Sequence, residues 1–454
     1  MMDQDELTRD LTGRFAEMIR CRTVSYKDTS LEDPAEFKRF RELLFSMYPG
    51  VSAVCAREEI GRTGLLYRWK GRGDGRPLVL MAHYDVVPAD ASQWEKEPFA
   101  AEIDNGIVWG RGTLDTKGTL CGIMEAAEKL ISEGFVPEND VYFSFSGEEE
   151  TDGSSTPEIV SYLKEIGVRP AMVLDEGGAV VSGVVPGVRG KCALVGTGEK
   201  GKMHLRLSVK SKGGHASSPP PSSPVGRLAR CVVAAEKKPF KFHVSGPVRQ
   251  MFGIMGRNAS PGLGLVYRNL RIFSPLLDLM TRKTGGEMNA LFRTTVAFTG
   301  MKGSDAVNVF PPRASVDADV RLMEGDTGES VVADIKRKIA GADMDVEVEC
   351  LNLIPVRPFS DIGGEEWVRL RDCIEGVWGD DVIVSPYLMI ACSDSRHYTD
   401  ICDNVYKFSA MELSGDERKM IHGHNERIPV EKLMTTVRFY EALMMGWGRS
   451  GVEQ

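Results

Sequence analysis

Histidines and carboxylates stand in this chain directly behind short apolar runs. His83 and Asp85 lie two residues apart in LMAHYDVVPAD, just after PLVLM. Asp115 lies in GRGTLDTKG, Glu148, Glu149 and Glu150 follow VYFSFS, and Asp175 and Glu176 follow AMVL. Near the other end IHGHNE supplies His422 and His424. Imidazole and carboxylate without cysteine is a donor set suited to a catalytic zinc-type site, in which one position stays open for water. Carboxylates gathered in one cleft repel one another unless a cation shares it, and two divalent ions bridged by one carboxylate meet that need. Singly the motifs are ordinary. HYD reads as a core histidine with its hydrogen-bonded acid, GEEE as a solvated turn, and GRGTLD lacks the third glycine of a dinucleotide loop. Their order, each at the end of a strand-length run, points to a metal centre.

The acids converge only if those runs are neighbours in one sheet. PLVLM, VYFSFS and AMVL have strand length and strand composition, and a helix starting near Lys117 separates the first two. Leu120, Ile123, Met124, Ala127, Leu130 and Ile131 share one face of that helix, and Gly134 is its expected stop. Leu7, Leu11, Phe15, Met18 and Ile19 predict an amphipathic first helix. Strand, helix, strand in repetition predicts an α/β fold whose mostly parallel sheet is flanked by helices, with ligands at the carboxyl ends of the strands. A second unit begins near Gly198. MHLRLSVK, TTVAFTG, ASVDADVRL and VEVEC read as strands, and the segments 225–235 and 330–339 as helices, giving a smaller inserted α+β domain. Between them, 239–291 carries apolar clusters such as IFSPLLDLM, expected to reflect packing of an insertion, with a partner surface as the alternative. The pattern of the larger domain returns after Ile354, so the expected division is 1–197, 198–353 and 354–454.

A chain of 454 residues is long enough for two cores. A formal charge of -9 without a basic block excludes nucleic acid as an expected partner. No apolar run approaches the roughly 18 to 20 residues of a membrane span, so no membrane partner is expected. The opening segment is charged where a signal peptide would be apolar. Nine scattered cysteines suggest free thiols in a reducing compartment, and the expected location is the cytoplasm.

Taken in order, HYDVVP, PFAAEIDNGIVWGRGTLDTKG, GEEE, LDEGG, KGGHASSPP and IHGHNE resemble the di-zinc metallopeptidase family of aminoacylase, carboxypeptidase S, carnosine-type dipeptidases and succinyl-diaminopimelate desuccinylase. SDSRHYTD, NVYKFS and HGHNERIPVE are most similar to its carboxypeptidase S and N-acyl-amino-acid hydrolase branch. The resemblance implies a metal-dependent hydrolase cleaving an amide or peptide bond next to a free amino-acid carboxylate, acting as acylase or as dipeptidase. It implies two divalent ions, zinc with cobalt or manganese as alternatives. His83, Asp115, Glu150, Asp175 and His422 would hold them, with Glu176 as the alternative to Asp175 and Asp115 as the bridge. Glu149 would be the general base, with Glu148 and Glu149 as a shifted alternative for the acid pair. Asp85 would orient His83 through its second ring nitrogen. The inserted domain would serve as a lid and dimerisation domain of a homodimer, and its His215 would reach the partner's site to polarise the substrate carbonyl. Arg396 would take the substrate carboxylate as a guanidinium fork. Asn308 and Arg321 would line the substrate region, a structural salt bridge being an equal reading for Arg321. His204, His243 and His397 have no assigned role and are expected to be surface or packed histidines.

Overall fold

The computed structural model describes residues 4–183 and 185–448. Leu78–His83, Val141–Ser146 and Met172–Ser182, the three predicted strands, are parallel neighbours in an eight-stranded sheet. Across it the order is Ala56–Ile60, Gly64–Trp69, Val141–Ser146, Leu78–His83, Met172–Ser182, Val405–Glu412, Lys191–Glu199 and Ile383–Met389. Leu78–His83 and Val141–Ser146 are buried along their whole length, which is why both read as continuous apolar runs without alternation. The two strands before Leu78 pair antiparallel at one edge.

Helices cover this sheet as the apolar spacing predicts. Gln4–Arg20 buries Leu11, Phe15, Met18 and Ile19, while the side chain of Leu7 lies outside the described residues. Lys117–Ser132 packs against the C-terminal helix Val430–Gly446. The two approach so closely at Gly122 that a Cβ there would lie 2.6 Å from Thr436. Lys117 itself is buried, and its ammonium donates to the carbonyls of Met18 and Cys21, tying the first helix to the segment that follows Asp115.

Residues 201–354 contain the second sheet, of order Thr295–Lys302, Arg313–Leu322, Gly201–Lys210 and Glu347–Ile354, antiparallel throughout. Gly201–Lys210 and Arg313–Leu322 alternate buried and half-buried side chains, and the helices Pro224–Glu236 and Gly328–Ile339 cover the buried face. The segment expected as a simple insertion behaves differently. It folds into Gly246–Asn258, Pro261–Arg268, Leu270–Thr284 and Gly286–Ala290. Val248, Met251, Phe252 and Met255 join the core of the large sheet and not that of the small one, with Gly246–Asn258 lying on Ile383–Met389. No helix among the described residues is long and apolar enough to cross a membrane. The nine cysteines are free thiols, six of them buried.

Phe252 is fully buried and sits against Phe292 and Tyr267, with ring centroids 5.6 and 5.0 Å away. Phe252→Ala should therefore destabilise the large domain by about 3–5 kcal/mol. Urea unfolding followed by tryptophan fluorescence checks this, and a loss below about 1 kcal/mol would mean the segment is an independent appendage.

Candidate metal centre and active site

His83 ends its strand buried, with the ring held from behind. Its Nδ1 lies 3.0 Å from the Asp85 backbone carbonyl and 3.3 Å from the Asp85 carboxylate. That directs Nε2 at Asp115, 2.9 Å away, and at Glu176, 3.2 Å away. The other oxygen of Asp115 lies 3.0 Å from His422 Nε2, which is also 3.1 Å from Glu150. Two clusters of candidate ligands result, His83–Asp115–Glu176 and Asp115–Glu150–His422, sharing Asp115.

The segments that carry His83, Glu150 and Asp115 are fixed by acids that belong to neither cluster. Asp85 is fully buried, and its two carboxylate oxygens accept the backbone N–H groups of Glu149 and Glu150 at 3.2 Å, with the Ser25 hydroxyl at 2.7 Å. Asp85 thus braces His83 and pins the turn after VYFSFS together. Glu426 does the same for the Asp115 loop. Its carboxylate accepts the backbone N–H of Gly112, Leu114 and Asp115 at 2.9, 2.7 and 3.2 Å and pairs with Arg111 at 2.8 Å. The turn needs Gly112, whose φ is +89°. The peptide bond Asp115–Thr116 is cis. Sequence reasoning quoted Glu426 within IHGHNE and assigned it nothing. The available signal was an acid four residues beyond His422 with no expected metal to bind.

Electrostatics follow from this crowding. Burial raises the Glu149 carboxyl well above its usual range; Glu176, Asp394 and Glu150 add to that, and His83 opposes it. Burial, with Asp115 beside it, pushes Glu176 up to about 8. Hydrogen bonds to Asp115 and Glu150 lift His422 to about 10. Raised carboxyls beside a raised imidazole mark a cleft that is short of positive charge. Imidazole nitrogens aimed at shared carboxylates, with no sulfur, make a donor set that fits a pair of divalent ions.

The alternatives left by the sequence lie in different places. Asp175, expected as a ligand, stands outside both clusters: it is buried and accepts the Ser395 backbone N–H at 3.1 Å. Glu176 takes the place in the cleft, because neighbouring residues of a strand point to opposite faces. Glu148 faces away, bound to Arg62 and Ser155, which leaves Glu149 and Glu150 as the pair in the cleft. His424 is exposed and outside both clusters.

The expected substrate residues are placed unevenly. Arg396 is buried with its guanidinium already occupied, by the Ser393 carbonyl at 2.8 Å and by Asp152 at 3.2 Å, so the free fork expected from sequence is not what the structure holds. Asp152 also binds Lys202 at 2.7 Å, a residue the sequence reading passed over. His215 and Asn308 are exposed together on the ribbon formed by Gly214–His215 and Val309–Phe310. Nothing described joins them to the clusters within one copy, and His215 Nδ1 lies 2.7 Å from the Ser217 hydroxyl. Arg321 makes a salt bridge of 2.8 Å to Asp319 and reaches Cys392. His204 and His243 lie near Asp319 and Glu324, and burial lowers His397 to about 4.

Two ligand clusters sharing a carboxylate at the carboxyl ends of parallel strands, with a further acid beside them, define a metal-dependent hydrolase of amide or peptide bonds. Residues 79–446 match peptidase family M20/M25/M40, and the chain belongs to that family. It is 32% identical over 444 residues to the probable carboxypeptidase S-like 2 of Dictyostelium discoideum, covering 96% of this chain and 84% of that protein. It is 34% identical over 445 residues to the N-fatty-acyl-amino acid synthase/hydrolase PM20D1 of Xenopus tropicalis, covering 96% of this chain and 85% of the relative. Among solved structures, the M20 family metallo-carboxypeptidase Sso-CP2 of Sulfolobus solfataricus shares the fold with a TM-score of 0.70 at 17% identity, covering 98% of this chain and 99% of its own.

Glu426→Gln keeps the shape but replaces a four-bond acceptor by an amide that must turn its NH2 toward N–H donors. The expected result is about 10–100-fold weaker metal retention, measured by competition with a chelator. Unchanged retention would remove Glu426 from the site's support.

Proposed function

We propose that the protein hydrolyses N-acyl amino acids or short peptides at the amide next to a free amino-acid carboxylate. The observation that carries this reading is the pair of clusters sharing Asp115, with Glu149 in the same cleft. His83, Asp115 and Glu176 would hold one ion and Asp115, Glu150 and His422 the other. Zinc suits the donors, and cobalt or manganese would be accepted by the same set. Bound there, the ions supply an acidified water and polarise the scissile carbonyl.

The chain's own residues supply the rest. Glu149, its proton affinity raised by enclosure and by neighbouring acids, takes a proton from the attacking water and delivers it to the leaving amine nitrogen. Asp85 keeps His83 and the Glu149–Glu150 turn in register. Arg396 and Lys202 now share Asp152, and we assign the substrate carboxylate to these two cations, with Asp152 as the stand-in acid. Asn308 and Arg321 are assigned to the substrate region around it. His215, exposed on its ribbon, is assigned to the cleft of a second copy, where an imidazole N–H would stabilise the carbonyl oxygen as it gains charge. That role makes the enzyme a homodimer. Its free, mostly buried thiols support a cytoplasmic location.

The relatives carry both substrate classes in their names, acyl amino acids and carboxypeptidase substrates. Leucine release from N-acetyl-leucine and from glycyl-leucine, compared side by side, decides between them. Chelator treatment should abolish release and added zinc restore it; release that survives complete metal removal would overturn the reading. Glu149→Gln should keep its metal and lose about 10²–10⁴-fold in kcat. A near-normal rate would exclude Glu149 as the base.

A further inference from the structure

One face of the molecule takes no part in the hydrolytic site. The helix Leu270–Thr284 buries Leu270, Leu277 and Thr281 along one side, the two leucines within the large core. Its opposite side is apolar as well. Ile272, Leu276, Leu279 and Met280 are 73, 48, 54 and 53% exposed. At the helical rotation per residue these four fall in a single arc of about 100°. The preceding helix Pro261–Arg268 exposes Leu263 and Leu265. A surface helix ordinarily turns polar residues outward, and a second apolar stripe marks a contact surface.

The charge around that stripe is opposite in sign to the whole chain. Between Gly246 and Ala290 stand six arginines and lysines against two acids, in a protein of net charge -9. Both acids are paired, Asp278 with Arg282 and Arg293, and Glu287 with Arg418. Arg249, Arg257, Arg268, Arg271 and Lys283 are exposed and form no ion pair among the described residues. Beside the stripe opens a cavity of about 900 Å³ with Phe242, Tyr267 and Ile272 among its walls and Arg249, Arg268 and Arg271 on its lining.

We propose that this face docks on the surface of an anionic phospholipid bilayer, with Leu270–Thr284 lying in the interfacial plane. Ile272, Leu276, Leu279 and Met280 enter the boundary between headgroups and acyl chains, and the unpaired cations meet lipid phosphates and carboxylates. A second copy is a poorer occupant. A symmetric contact sets the patch against itself and brings the unpaired cations of one protomer up to those of the other. The sequence expectation of no membrane partner rested on the lack of a spanning run, and a helix lying in the interface needs none.

Co-sedimentation of the full chain with vesicles tests this independently of any hydrolytic activity. Binding to vesicles of phosphatidylserine mixed with phosphatidylcholine should exceed binding to phosphatidylcholine alone by at least about tenfold and should weaken as salt is raised. An Ile272→Glu, Leu279→Glu double variant, both positions being exposed, should keep the thermal unfolding midpoint and lose about tenfold or more of that binding. The proposal is overturned by no binding to either vesicle, by equal binding to both, or by a variant that binds like the parent. It is overturned equally if the protein ignores vesicles and the double variant instead converts a dimer to a monomer in light scattering.

Discussion

Asp115, Glu149, Glu150 and Glu176 are gathered around two imidazoles in one cleft, and like charges held that close have no stable arrangement without a positive partner among them. The surrounding structure is organised by this constraint. A flexible loop carrying one of these acids would swing away from the others, so every ligand-bearing segment is held by something stronger than its own turn. His83 stands at the end of a strand buried on both faces, Glu150 lies in the turn after one of its neighbours in the sheet, and Glu176 lies within the other, just past its pairing with the His83 strand. Asp115 and His422 come from loops, and there the additional support is greatest.

That support uses carboxylates in a second way. Asp85 and Glu426 carry the same charge as the ligands but turn their oxygens to backbone N–H groups, joined at Glu426 by the Arg111 guanidinium, so their charge is satisfied without a metal ion. In doing so each joins segments far apart in sequence: Asp85 links the first helix's exit at Ser25 to the glutamate turn, and Glu426 links the last hundred residues to the Asp115 loop. Lys117 extends the linkage by bonding Met18 and Cys21. The amino-terminal helix is therefore part of the scaffold of the cleft, although it contributes no ligand to it.

Much of this was legible in the sequence, and the misses have physical causes. PLVLM, VYFSFS and AMVL announced a parallel sheet because strands buried on both faces must be apolar throughout, and the residues that follow such strands lie along one edge. The choice between Asp175 and Glu176 was not legible. It depends on which face of Met172–Ser182 meets the cleft, a matter of sheet register that two adjacent acids cannot reveal. The engagement of Arg396 by Asp152 joins the turn after Val141–Ser146 to the segment Asp394–Asp400, 244 residues away, and sequence spacing carries no such information. The clusters around IFSPLLDLM suit packing or a partner surface by sequence; one side of that helix is packed and the other is bare, and hydrophobicity alone does not distinguish a buried stripe from an exposed one.

The strand Val405–Glu412 lies in the middle of the large sheet, between Met172–Ser182 and Lys191–Glu199. It follows both of them in the chain, with the whole second sheet in between. Until it leaves the ribosome, the two flanking strands lack their shared partner, and the nascent protein has neither His422 nor the Glu426 clamp. A chain that stalls before Glu426 is thus left with an incomplete ion site, because the last clamp on the Asp115 loop is made after every strand of the large sheet.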